Sequence, residues 1–72
     1  MTEKIRRKVA VSFGSAVKSG RARAGLTQLQ LEDRTGVSRP ALARYERDAT
    51  CPSLADALVL AQTLGFSLDE LA

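Results

Sequence analysis

Start and stop signals for helices recur along this chain at intervals too short for anything but a small fold of short helices. Thr27-Gln28-Leu29-Gln30 reads as a capping box, with Thr27 as N-cap and Gln30 reaching back to it, and Gly36 closes the helix that follows. Ser38 is the next N-cap, and Pro40 falls in the first helical turn, where its missing N–H does no harm. That helix is expected to run to about Arg47. Ser53 caps a further helix from Leu54 to Leu64, with Leu54, Leu58, Ala61 and Leu64 expected to face inward and Gly65 to end it. Ser67-Leu68-Asp69-Glu70 is another capping box, opening a last short helix. Upstream, Phe13, Ala16, Val17 and Gly20 form a helical stripe over a first helix from Val11 or Ser12 to Arg23, stopped by Gly25. The expected fold is all-α, a compact five-helix domain over residues 11–72. Residues 1–10 form either a basic arm or an extension of the first helix.

Such a fold must hold itself together by helix packing. The 72 residues are 44% hydrophobic, with one cysteine, Cys51, and no histidine. No disulfide closes within the chain, and one thiol cannot build a zinc site, so no metal and no cofactor are expected. Cys51 reads as a small loop residue rather than a redox switch. No run approaches the roughly 18–20 apolar residues of a membrane span, and no h-region follows the basic start Met1 to Lys8. A cytoplasmic protein with no membrane partner is expected. No enzyme is expected, because the sequence has no histidine, no cysteine–histidine pair, no phosphate-cradling Gly-rich loop and no converging carboxylates.

The net charge of +3 conceals a division along the chain. All eleven Lys and Arg occur by Arg47, against four acids there (Glu3, Glu32, Asp33 and Glu46), which leaves +7. From Asp48 onward there are four acids and no base, which leaves −4. A basic half of this kind suits a polyanion, although an uneven solvated surface has the same composition.

The stretch from about 28 to 47 carries the functional signal. Two short helices meet at a tight turn containing Gly36, whose left-handed conformation reorients the second helix. Val37 plugs the elbow, and Leu31, Leu42 and Tyr45 fix the helices together. The second helix then projects and fits a major groove about 12 Å wide. The chain resembles the Cro/phage-repressor family of helix-turn-helix regulators, also called the xenobiotic-response-element family. The resemblance is carried by Gly25-Leu26-Thr27-Gln28, Leu31, Gly36-Val37-Ser38-Arg39, Leu42, Arg44-Tyr45-Glu46-Arg47, Pro52-Ser53-Leu54, Leu58, Leu60-Ala61, Leu64-Gly65 and Ser67-Leu68-Asp69-Glu70-Leu71. It implies a lambda-repressor-like domain, a double-stranded DNA partner and a role in transcription regulation.

By resemblance, Arg39 stands where the family reads base edges, and its fork suits guanine O6 and N7; a phosphate contact is the alternative. Arg44 is a second base-reading candidate. Pro40, with Ala41, is a candidate for a thymine methyl. Gln28, at a helix N-terminus, is implied to bond phosphate. Ser38, Arg47 and Arg23 are further phosphate candidates, with Lys18 and the Lys4, Arg6, Arg7, Lys8 cluster as possible additions. The family often pairs an arginine of the first helix with the glutamate ending the third, which implies a structural ion pair between Arg21 and Glu46. The chain departs from the pattern in three places. Glu32 occupies a position usually small, and either bends outward or pairs with Arg34 or Arg39. Asp48 replaces a glycine but tolerates the left-handed region. The loop Ala49-Thr50-Cys51 lacks the bases often found there. Leu29 and Val59 stand where charge is usual and are expected to be exposed.

A single reading helix covers too few base pairs to select one genomic site, so a homodimer on an inverted-repeat operator is expected. Its surface is placed in the acidic C-terminal segment at Phe66, Leu68 and Leu71. Such a module serves as a phage or mobile-element repressor, a restriction-modification controller or an antitoxin. The alternative is a protein-interaction module, binding a toxin or another partner, that uses the same fold without DNA.

Overall fold

The computed structural model describes residues 2–48 and 50–71. Its elements are α1 (Thr2–Ala24), α2 (Gln28–Thr35), α3 (Arg39–Arg47), α4 (Leu54–Leu64) and a 3-10 turn at Leu68–Leu71. Among the described residues the fold is all-α, with four α-helices and a 3-10 turn where five helices were expected. Each junction follows local chemistry. Thr27 Oγ1 accepts from the Gln30 N–H at 3.1 Å, and the Thr27 N–H donates to Gln30 Oε1 at 2.9 Å. Ser38 Oγ accepts from the Ala41 N–H, and Ser53 Oγ from the Asp56 N–H. The Ser67 N–H donates to Glu70 Oε1 while its hydroxyl accepts from Asp69, so the capping bonds form but close only one 3-10 turn.

α1 begins nine or ten residues before the expected start. Its first turns hold Glu3 near the positive N-terminal end of the helix dipole, and they contain neither Gly nor Pro. They carry no apolar stripe, and Thr2 to Lys8 are exposed, whereas Ala10 is buried. Residues 2–10 are thus an extension of the helix rather than a separate arm.

Phe13, Val17, Leu31, Leu42 and Leu60 are fully buried, one or more from each α-helix. The Phe13 ring packs edge-to-face with Tyr45 at 5.4 Å between centroids and with Phe66 at 6.0 Å. α1 packs on α3, α4 and the 3-10 turn, and α2 packs on α3 and α4. Two expectations about burial are corrected. In α4 the inward residues are Ala57, Leu60, Ala61 and Leu64, whereas Leu54 is 72% and Leu58 43% exposed. α4 is apolar on more than one face, so its periodicity alone did not select the covered one. At the C-terminus Leu71 is buried in the core, and Phe66 and Leu68 are half-buried against it. They were placed in a dimer surface as residues a small core could not bury, but the core takes in Leu71 and part of Phe66 and Leu68. Val59 is likewise partly buried, and Leu29 is exposed as expected.

Tyr45 ties α3 to α4, its hydroxyl donating to Asp56 Oδ2 at 2.6 Å. Burial first, and then this bond to a carboxylate, raises the phenol above its ordinary 10.0. Tyr45→Phe is expected to cost about 1–2 kcal/mol at neutral pH in urea unfolding. A raised acid favours the folded state below its unfolded value. The wild-type advantage over Tyr45→Phe is therefore full below pH 10.0 and shrinks as pH rises beyond it. An advantage unchanged well above that pH would exclude the bond as its source.

Candidate nucleic-acid interface

The turn between α2 and α3 aims the second helix. Gly36 takes φ 77°, and its amide donates to Glu32 O at 2.8 Å. That conformation admits glycine readily and most other residues poorly. The Thr35 hydroxyl braces the same corner, donating to Leu31 O at 2.8 Å and accepting from the Val37 N–H at 3.2 Å. Val37, 4% exposed, enters the core at the elbow. The sequence marked Gly36 and Val37 here but not Thr35, whose hydroxyl accepts the Val37 N–H only once the turn forms.

α3 buries Ala41, Leu42 and Tyr45. Its opposite face presents Arg39, Pro40, Arg44 and Arg47, all exposed, with Ala43 half-buried among them. Ala41 lies in the core and is withdrawn as a thymine-methyl candidate. Ala43, one helical turn after Arg39, is the half-buried residue at the centre of that face. Arg39 and Arg44 lie within ion-pair distance of no carboxylate among the described residues, so both forks are free.

Gln28 opens α2, half-buried, and with Arg21, Thr27, Leu29 and Arg39 it lines one open depression of about 490 Å³. The N-termini of α2 and α3 therefore share a surface, where free amides and the helix dipoles favour a phosphate. Ser38, exposed, uses its oxygen to accept the Ala41 amide and keeps its hydroxyl proton for another partner. Glu32 is half-buried and makes no ion pair with any described residue, so neither Arg34 nor Arg39 is its partner.

At the other end of α3, Arg47 donates to both carboxylate oxygens of Asp48, at 3.0 and 3.1 Å. The guanidinium holds the Asp48 carboxyl below its ordinary range. Asp48 has φ −108°, so the left-handed conformation allowed for it is not used. The sequence reading missed this pair, although the two residues are adjacent. Arg47 shares a groove between α1 and α3 with Lys18. Arg23 is exposed in the last turn of α1.

Arg21 and Glu46 form a fork-to-fork pair. Arg21 Nε and Nη2 donate to Glu46 Oε2 and Oε1 at 2.9 and 3.0 Å, and Nη1 donates to Leu26 O at 2.9 Å. One guanidinium thereby joins α1, the loop before α2 and the end of α3. Its hydrogen bond to Glu46 is the main cause raising its pKa above an already high ordinary value.

Behind α3, Gly14 lets α1 approach the reading helix. A Cβ on Gly14 would stand 2.1 Å from the carbonyl oxygen of Tyr45. No sequence signal marked Gly14, because the atom that needs the space belongs to a residue far along the chain.

No curated protein and no solved structure matches the chain. The helix-turn-helix family does match, over residues 17–71, a span holding both helices of the motif, the turn between them and the α4 support. With the glycine corner, the projecting α3 and the Arg21–Glu46 clamp in place, this chain belongs to the Cro/C1-type helix-turn-helix family.

Proposed function

We propose that this protein is a sequence-specific regulator of transcription, a repressor or controller protein, that reads double-stranded DNA with the outward face of α3 and has no enzymatic activity. The observation that carries the reading is the free, exposed pair Arg39 and Arg44 on a helix clamped from behind by Arg21 and Glu46. Arg39, Pro40 and Arg44 meet base edges. Gln28 and Ser38 hold phosphate at the N-terminal ends of α2 and α3. Arg47 and Arg23 add phosphate contacts, with Asp48 yielding part of the Arg47 fork. It binds as a homodimer on an inverted repeat in the cytoplasm. The proposed dimer surface draws on exposed Leu54 and Leu58 of α4 and on half-buried Phe66 and Leu68, all within the acidic segment that DNA repels; buried Leu71 is not available to it.

Selection from a random duplex pool, followed by titration of the selected and a mixed-sequence duplex, tests this. Arg39→Ala is expected to weaken the selected duplex by about 1–3 kcal/mol and to relax preference at one position per half-site. Arg47→Ala should weaken both duplexes alike. Saturation is expected at two chains per selected duplex. Equal losses from Arg39→Ala on both duplexes would remove it from base reading.

A further inference from the structure

The end of α3 presents a problem for a DNA-binding surface. Helix C-termini carry the negative end of the dipole; Arg44 and Arg47 in the last turn offset it, but the chain from Asp48 to Ser53 adds no further base. The structure brings cations there from the opposite end of the chain. The Cys51 thiol donates to the carbonyl of Arg6 at 3.5 Å. An open depression of about 270 Å³ is lined by Glu3, Arg6 and Arg7 of α1 together with Asp48 and Cys51. Arg6 and Arg7 are exposed, and neither lies within ion-pair distance of a carboxylate among the described residues. Asp48, the acid of the loop, is already held by both arms of Arg47. Glu3 reduces the local positive charge without pairing with it. Lys4 and Lys8 of the same turns do not line the depression.

We propose that the N-terminal turns of α1 are a phosphate clamp, with Arg6 and Arg7 taking the DNA backbone beside the C-terminal end of the reading helix in place of the missing loop bases. These turns precede the 17–71 span matched to the family, so the clamp is an addition to the helix-turn-helix module. It rests on the DNA-binding reading above, and it extends the contact surface along the backbone without adding sequence preference.

The test uses the full chain and a mixed-sequence duplex of about two helical turns. Affinity is measured from about 50 to about 200 mM salt. Arg6→Gln with Arg7→Gln should flatten the slope of log affinity against log salt by about 2, close to 0.9 for each lost phosphate contact, with the helical circular dichroism unchanged. Arg6→Lys with Arg7→Lys should restore the slope. Lys4→Gln with Lys8→Gln, which removes equal charge outside the depression, should change it by less than half as much. Equal flattening by the two glutamine pairs would mean diffuse attraction and overturn the clamp, as would an unchanged slope in Arg6→Gln/Arg7→Gln. Wild-type binding with an unaffected slope in that variant discards the clamp and leaves the DNA-binding reading standing. Absence of salt-dependent binding by the wild type discards both.

Discussion

Gly14→Ala is expected to be among the most damaging single-atom additions to this protein. The new Cβ would stand 2.1 Å from the Tyr45 carbonyl oxygen and 3.1 Å from its carbon. Both atoms are backbone, so no rotamer change relieves the clash, and α1 and α3 must separate. Overpacking costs about 1–3 kcal/mol where side chains can adjust, and a backbone contact belongs at the top of that range or above it. A domain this small has little stability to lose. Urea unfolding should show the loss directly, with Ser15→Ala on the exposed side of α1 close to neutral as the comparison. Because α3 carries Arg39 and Arg44, DNA affinity should fall even at temperatures where the variant remains folded. Near-wild-type stability for Gly14→Ala would mean that the two helices do not approach this closely.

The second large effect belongs to the Arg21–Glu46 clamp. The Glu46 side chain is 7% exposed and that of Arg21 is 22% exposed. Arg21→Ala leaves a nearly buried carboxylate without a partner and the Leu26 carbonyl without its donor. The expected loss is about 3 kcal/mol, the lower end for breaking a buried pair, because water reaches the arginine side. Glu46→Ala should cost less, since the guanidinium left behind is the more exposed partner. Replacing the two together by Met and Leu should recover most of the stability but not the angle of α3, so affinity for a selected duplex should stay low. The Arg21 pKa is raised by its bond to the Glu46 carboxylate, so while that carboxylate is ionised the arginine's share of the stability persists up to the unfolded value of the guanidinium. It should not decline as pH rises through neutrality. Thermal unfolding of the two single variants and the double variant measures the coupling. A double variant no more stable than Arg21→Ala would argue that the pair does not act as a unit.

What the sequence determined by itself is the set of places where helices begin and end after Ala24. Thr27 with Gln30, Ser38 with Pro40, Ser53, Gly36 and Gly65 all act as their local chemistry implied, because a cap bonds to amides two or three residues away and needs no other element. The resemblance added the residues of the reading helix and the Arg21–Glu46 pair, which joins partners 25 positions apart. Burial was decided by tertiary structure. The apolar residues of α4 admitted more than one inward face, and the choice of Ala57, Leu60, Ala61 and Leu64 over Leu54 and Leu58 depends on where α1 and α2 lie. Leu71 looked surplus to a small core until α1 and α4, packed against the 3-10 turn, supplied a place for it. Gly14, the Thr35 brace and the approach of Arg6 to Cys51 were likewise invisible. Each is a contact whose partner is brought near by packing or by the turn itself, and no periodicity within one segment records the distance to another.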